Sequence, residues 1–340
     1  MSRPPLSRPA ALTLTIVWLA ACGRGGDSRA VVSIYTSIYE HVIVALDPVL
    51  QREFPDVRVE WFQRGSEDVA ARVNAEIAAG RVAADIVMTS DPFWYQELKE
   101  GGHLLAMAVP EAATLPAELT DPDGVFTTVR MPVMVLAANP EVVPRDQQPA
   151  RFADLTAAEW KGRVTMGDPN RSGSMFTAVA ALSARYGWEY FEGLRANDIL
   201  VAGGNSAVLS RIVTGERPVG IVLLENVLQA LQATAGAPID VIYPADGVIL
   251  VPSPIAVLAA TDVPDGARRL VRFFLSETGQ RALVAGWMYS PLESVAPPAG
   301  ARPWAEIYHS ALQPWSPAYG RDVSRRREAI KRRFNEVVLN

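Results

Sequence analysis

The sequence predicts an α/β fold of two lobes with a cleft between them, and three observations carry this. Short β-branched runs alternate with amphipathic segments from residue 31 to 100. A second alternation of the same kind fills 163–243. Long extended stretches at 128–138 and 248–260 lie on either side of that second set. A βαβα rhythm implies a parallel sheet covered by helices on both faces. Two long extended stretches can carry the chain from one lobe to the other and back, with closure hinged at the crossings. The expected division is 31–130 with 255–340 in the first lobe and 131–254 in the second.

Each element follows from local pattern. Residues 31–36 form a β-branched strand. A helix is expected over 39–54, where apolar residues recur at helical spacing until Pro55. Residues 57–62 alternate as a strand. In 66–79, Val69, Val73 and Ile77 share one helical face and Gly80 supplies a stop. A strand at 85–89 and a short helix at 92–100 complete the set. Residues 106–126, rich in Pro, Asp and Thr, read as irregular. The second set comprises strands at 163–166, 219–223 and 239–243, with helices at 172–186, 188–195, 205–214 and 225–231. The remainder is helical, over 264–275, 280–286, 304–312 and 324–338. The last helix is strongly basic, with Arg325, Arg326, Arg327, Lys331, Arg332 and Arg333, and reads as a solvated face that can also meet anionic lipid.

The N-terminus carries a targeting pattern. Arg3 and Arg8 precede an apolar stretch from Ala10 to Ala21 that is too short to span a bilayer. Leu19-Ala20-Ala21-Cys22 resembles the bacterial lipobox, in which the Cys becomes the first residue of the mature chain and carries acyl chains. Cys22 is the only cysteine, so no internal disulfide exists, and lipidation gives the leftover thiol a role. Residues 1–21 are thus expected to be a signal peptide and 22–30 a lipid-attached tether. Several acyl chains hold a protein stably at a membrane surface. The formal net charge of −5 becomes −7 once Arg3 and Arg8 leave with the signal peptide. Such a balance argues against nucleic acid as a partner.

Binding chemistry gathers at turns that open helices. Ser172, Gly173 and Ser174 sit where a strand turns into a helix, and Asn205 with Ser206 and Thr36 with Ser37 do so elsewhere. Ser66 and Ser90 add two more hydroxyls, and Arg171 adds charge. Backbone N–H groups at a helix N-terminus, with small hydroxyls, cradle phosphate or carboxylate oxygens. Any one of these residues serves equally well as a helix cap. Their number at such turns favours a ligand, because open α/β sheets bind there. Asp91-Pro92 reads first as a cap and second as a ligand contact. Phe93 reads as packing, Trp94 as a possible stacking residue, and Tyr39 as evenly divided between cleft and core. Glu225 and Asn226 follow an apolar strand and lean toward ligand contact. His41, His103 and His309 have no metal-ligand spacing. Asp246-Gly247 reads as a turn.

In order and spacing, several segments resemble bacterial solute-binding proteins of the ferric-iron and related class. They are 31–36 with Phe54-Pro55-Asp56-Val57, Gly65 to Arg72, Ala84-Asp85-Ile86-Val87, Asp168 to Ser174, Gly203 to Ser206, and Pro252-Ser253-Pro254. The resemblance runs from about Val31 to about Tyr289. It implies the two-lobed type II periplasmic-binding fold and partnership with the permease and ATPase subunits of an ABC importer. It implies a monomeric, extracytoplasmic carrier of small molecules without a cofactor, and not an enzyme. Iron-binding relatives place two adjacent Tyr shortly after an Asn in the second lobe. The matching segment here is Leu224-Glu225-Asn226-Val227-Leu228-Gln229, which has no Tyr. Their first-lobe ligands fall at Tyr39 and Asp91, so an iron site would have to use Tyr39, Asp91 and Glu225. Ferric iron prefers anionic oxygen donors, and the phenolate pair is missing. The expected cargo is therefore an anionic, phosphate- or carboxylate-bearing solute. The alternatives are a non-standard ferric site, or a ligand sensor that docks on a membrane receptor. Against an enzyme, the chain lacks a G-x-S-x-G elbow and a Walker loop.

Overall fold

The computed structural model describes residues 29–107 and 109–340. The expected signal peptide, Cys22 and most of the tether lie outside them. The first set of elements is β1 (Ala30–Thr36), α1 (Glu40–Glu53), β2 (Val57–Gln63), α2 (Ser66–Ala78), β3 (Ile86–Met88) and α3 (Trp94–Glu100). The irregular stretch that follows contains two short 3₁₀ turns. The chain then runs through β4 (Thr127–Arg130), β5 (Val133–Ala138), β6 (Val164–Met166), α4 (Gly173–Tyr186), α5 (Glu189–Ala196), β7 (Leu200–Val201) and α6 (Asn205–Val213). After these come β8 (Val219–Leu223), α7 (Leu224–Ala233), β9 (Asp240–Ile242), β10 (Ile249–Leu250) and β11 (Ser253–Val257). The C-terminal helices are α8 (Pro264–Leu275), α9 (Glu277–Val284), α10 (Trp304–His309) and α11 (Pro317–Phe334).

The strands form two sheets, one per lobe. The first has the order β2-β1-β3-β11-β4. Its β1 is parallel to β2 and β3, whereas β11 is antiparallel to β3 and β4. In the second, β5 lies antiparallel to β8 on one side and to β10 and β9 in turn on the other; β8-β6-β7 continue in parallel. Both faces of the sheet's inner strands β3 and β11 are covered, which explains their largely apolar sequence, whereas the edge strand β2 alternates with charged residues. Ile34, Ile86, Met88, Ile255 and Val257 enter one cluster, while Tyr35, Val87 and Ala256 enter the opposite one. The period-two alternation of a strand produces this division.

The two long extended stretches are the crossings, and each is a pair of strands. The first passes from β4 to β5 through Met131-Pro132, and the second from β10 to β11 through Val251-Pro252. Proline cannot donate a ladder hydrogen bond, so it falls where one sheet ends and the next begins. A bond from Val251 N to Pro132 O (2.9 Å) ties the crossings together.

The C-terminal region departs from the expected division. Helices α8 and α9 pack on the first sheet through Leu270, Phe274 and Leu283. Beyond them the chain leaves that lobe. Trp304 and Ile307 of α10 join Val133, Val135 and Leu224. Val323, Ile330 and Phe334 of α11, with Val337, join Phe176 and Phe191. These α11 residues form one stripe at helical spacing, which the basic residues between them hide in the sequence. Burial of that stripe places residues 317–339 on the second lobe. Among the described residues, no helix is long and apolar enough to cross a membrane.

Candidate functional site

A cleft of about 360 Å³ lies between the sheets, at the C-terminal ends of parallel strands. The first lobe contributes Ser37 and Tyr39 from the β1–α1 turn, Gln63, Arg64, Gly65 and Ser66 from the β2–α2 turn, and Ser90 from the turn after β3. The second contributes Arg171, Ser172 and Ser174 before and within α4. It also supplies Gly204, Asn205, Ser206 and Ala207 around the start of α6, and Leu223 with Glu225 at the start of α7.

The N-termini of α2, α4 and α6 thus meet in one space, two from the second lobe and one from the first. Helix N-termini leave N–H groups without intrahelical acceptors and carry a partial positive charge. The hydroxyls there form a chain. Ser172 Oγ lies 3.0 Å from Ser174 Oγ and accepts from Met175 N (3.3 Å). Asn205 Nδ2 donates to Ser174 Oγ at 3.1 Å, and Asn205 Oδ1 accepts from Leu223 N at 3.3 Å. Asn205 therefore fixes the starts of α4, α6 and α7 relative to one another.

A charged floor lies beneath. Arg130, 1% exposed, donates from Nη2 to Ser90 Oγ (2.6 Å) and Ser37 Oγ (3.3 Å). Its Nη1 is 3.8 Å from Glu225 Oε1, while its Nε and Glu225 Oε2 are buried without hydrogen-bond partners. Burial pushes the Glu225 carboxyl up to about 7, against the opposing pull of Arg130. Burial likewise lowers the Arg130 pKa, countered by Glu225. The sequence reading missed Arg130. Its signal was a single charge inside the apolar run from Val129 to Ala138, where an unpaired cation would be costly. Gln63 and Arg64 were missed as well, because a strand end carries no motif.

Four expected site residues do not line the cleft. Thr36 is fully buried; its Oγ1 donates to Met88 O (2.8 Å) and accepts from Ile38 N (3.0 Å), which builds the turn. Asp91 is also fully buried, capping the backbone N–H groups of Phe93 and Trp94 with Oδ1 and pairing with Arg327 through Oδ2. Gly173 is a contact between the lobes. A Cβ there would lie 2.5 Å from Asp91 Cβ and 2.8 Å from Ser90 O, so only glycine permits this approach. Asn226 accepts from the Tyr39 hydroxyl at 2.8 Å, a bond between lobes that buries the phenol; burial raises the Tyr39 pKa. Trp94 does not stack in the cleft either: it is 1% exposed and its indole N–H donates to Asn74 Oδ1 at 3.2 Å. The triplet Tyr39, Asp91 and Glu225 does not converge, since Asp91 is held by Arg327 outside the lining. Among the described residues, no group of three or more His, Cys, Asp and Glu is arranged to hold a metal.

Comparison with known proteins agrees with this architecture. The bacterial extracellular solute-binding protein family matches residues 82–306. An uncharacterized protein of Haemophilus influenzae is 26% identical over 136 residues, a match spanning 39% of either chain. Three solved structures share the fold. AfuA of Actinobacillus pleuropneumoniae, with fructose-6-phosphate bound, superposes with a TM-score of 0.80 at 22% identity, over 92% of this chain and 99% of that one. Iron-bound HitA of Pseudomonas aeruginosa gives 0.78 at 21% identity, over 90% and 99%. The substrate-binding protein of an Agrobacterium tumefaciens ABC transporter gives 0.82 at 21% identity, over 92% and 96%. With its family matched over most of its length and the fold of these binding proteins, the chain belongs to the bacterial extracellular solute-binding proteins.

Proposed function

We propose that the protein captures a small anionic solute, carrying a phosphate or carboxylate group, by closing its two lobes around it. One observation carries the reading: three helix N-termini and their serine hydroxyls converge from both lobes on one cleft. Arg64 and Arg171 flank the same space from opposite lobes, adding positive charge to an otherwise acidic protein. Organic phosphates are the favoured class, and the fructose-6-phosphate bound to AfuA supports that choice. The captured solute is handed to an ABC permease and its ATPase, with the carrier held at the membrane by lipid on Cys22. A ferric cargo is the second reading, favoured by the iron in HitA and by the ferric binding proteins among the similar structures.

Titration calorimetry with fructose 6-phosphate, inorganic phosphate, a dicarboxylate and ferric ion separates the two. Binding of a phosphate or carboxylate is expected. Tight binding of ferric ion with none of the anions overturns the proposal. Co-purification with permease and ATPase subunits, rather than with a sensor kinase, is the expected outcome for delivery.

A further inference from the structure

We propose that Arg327 and Lys331 of the C-terminal helix are positioning residues that clasp the first lobe onto the second and so assemble the anion-binding cleft. Both lie beyond the segment matched by the family, in a helix whose charge pattern reads as solvated. Arg327 is only 4% exposed. It grips two first-lobe carboxylates, each the chain neighbour of a serine that lines the cleft. Glu67 follows Ser66, and its Oε1 accepts from Arg327 Nη2 at 2.5 Å. Asp91 follows Ser90, and its Oδ2 is 2.5 Å from the same nitrogen, off the N–H axis. Lys331 Nζ donates to Glu67 Oε2 at 2.7 Å.

The other side of the clasp is the second lobe's half of the cleft. The Arg327 guanidinium lies 5.3 Å from the Phe176 ring centroid, and the Lys331 ammonium 5.5 Å from it. Phe176 is in the first turn of α4, the turn that presents Ser172 and Ser174. Gly173 of that turn meets Ser66, Ser90 and Asp91 directly. Two cations on one helix therefore hold the serines of both lobes at their working separation. Burial opposes the charge on Arg327, but Asp91, Glu67 and Glu97 outweigh it and raise its pKa. Burial, with Asp91 beside it, raises the Glu67 pKa against the pull of Arg327 and Lys331. Opening the lobes would break all three of these contacts at once, so the clasp shifts the open–closed balance toward the closed arrangement and lowers the cost of the closure that captures solute.

The test is an interlobe distance measured by electron–electron double resonance on the full chain without added ligand. Spin labels go on Val44→Cys in α1 and Val142→Cys after β5, positions 65% and 44% exposed, in a Cys22→Ser background. Glu67→Gln, which leaves the Arg327–Asp91 pair, and Arg327→Met are each expected to lengthen and broaden the distance. Arg327→Lys is expected to restore most of the narrow distribution, which a purely packing role would not require. Affinity for inorganic phosphate is expected to fall about tenfold in Glu67→Gln, the scale on which a competent state loses population. If Arg327→Met does not fold, Glu67→Gln decides alone. Unchanged distances in a folded Glu67→Gln protein overturn the proposal. Absence of phosphate binding by the wild type would count against the anionic cargo, while the distance measurement would still judge the clasp.

Discussion

At the scale of single residues, the floor of the cleft is governed by one buried ion pair. Arg130 and Glu225 face each other at 3.8 Å with one nitrogen and one oxygen left unpartnered, so neither charge is well compensated. Desolvation outweighs Arg130 and raises the Glu225 pKa from 4.5 to about 7. An acid whose pKa rises on folding holds a proton that the unfolded chain has lost. Folding stability therefore declines as pH rises through the window from 4.5 to about 7. The loss in that window is about 3 kcal/mol for a single fully buried group. Glu225→Gln is expected to remove this slope, becoming relatively more stable as pH increases. Urea unfolding of both proteins below and above the window measures it, and parallel pH dependence of the two would contradict the assignment.

At the scale of elements, the start of α4 is held from three directions. Ser172 caps the helix, Asn205 ties it to α6 and α7, and Gly173 lies against the first lobe. Gly173→Ala suits a helix but not the contact, because one of the clashing atoms is the backbone oxygen of Ser90 at 2.8 Å. The lobes must move apart to admit the methyl group. The expected result is a folded protein with a larger radius of gyration in solution scattering and at least about tenfold weaker anion binding, equivalent to 1.4 kcal/mol. Wild-type scattering and affinity in this variant would show that the contact is not needed for closure. Phe93 shows the same coupling from the other side. It leaves the first lobe's turn and joins Phe176, Trp315 and Tyr319 in the second lobe's core.

At the scale of the whole molecule, the lobes are joined on both flanks of the cleft. Arg327 and Lys331 hold one side. On the other, Tyr39 bonds Asn226, and His41 Nδ1 lies 3.2 Å from Gln229 Nε2. Tyr39→Phe removes one bond across the lobes without altering shape. A single hydrogen bond contributes about 1 kcal/mol, so roughly fivefold weaker capture of fructose 6-phosphate or inorganic phosphate is expected by calorimetry. A far larger loss, confined to ferric binding, would mean that the phenol is a metal ligand.

Residue order alone determined the alternation of strands and helices, the two crossings and the family. Each depends on local pattern, and Ser66, Ser172, Ser174, Asn205 and Ser206 were legible as turn residues because helix starts are local events. Only the tertiary structure decided which of these residues share a cleft and which charges are buried. Thr36, Asp91 and Asn226 look like site residues in the sequence, yet each is consumed by a partner far along the chain. Arg130 and Arg327 look like a stray strand charge and a solvated helix charge, yet both are buried between the lobes. Their partners lie from 40 to 260 positions away. Long-range pairing is set by the packing of whole lobes, and no local periodicity records it.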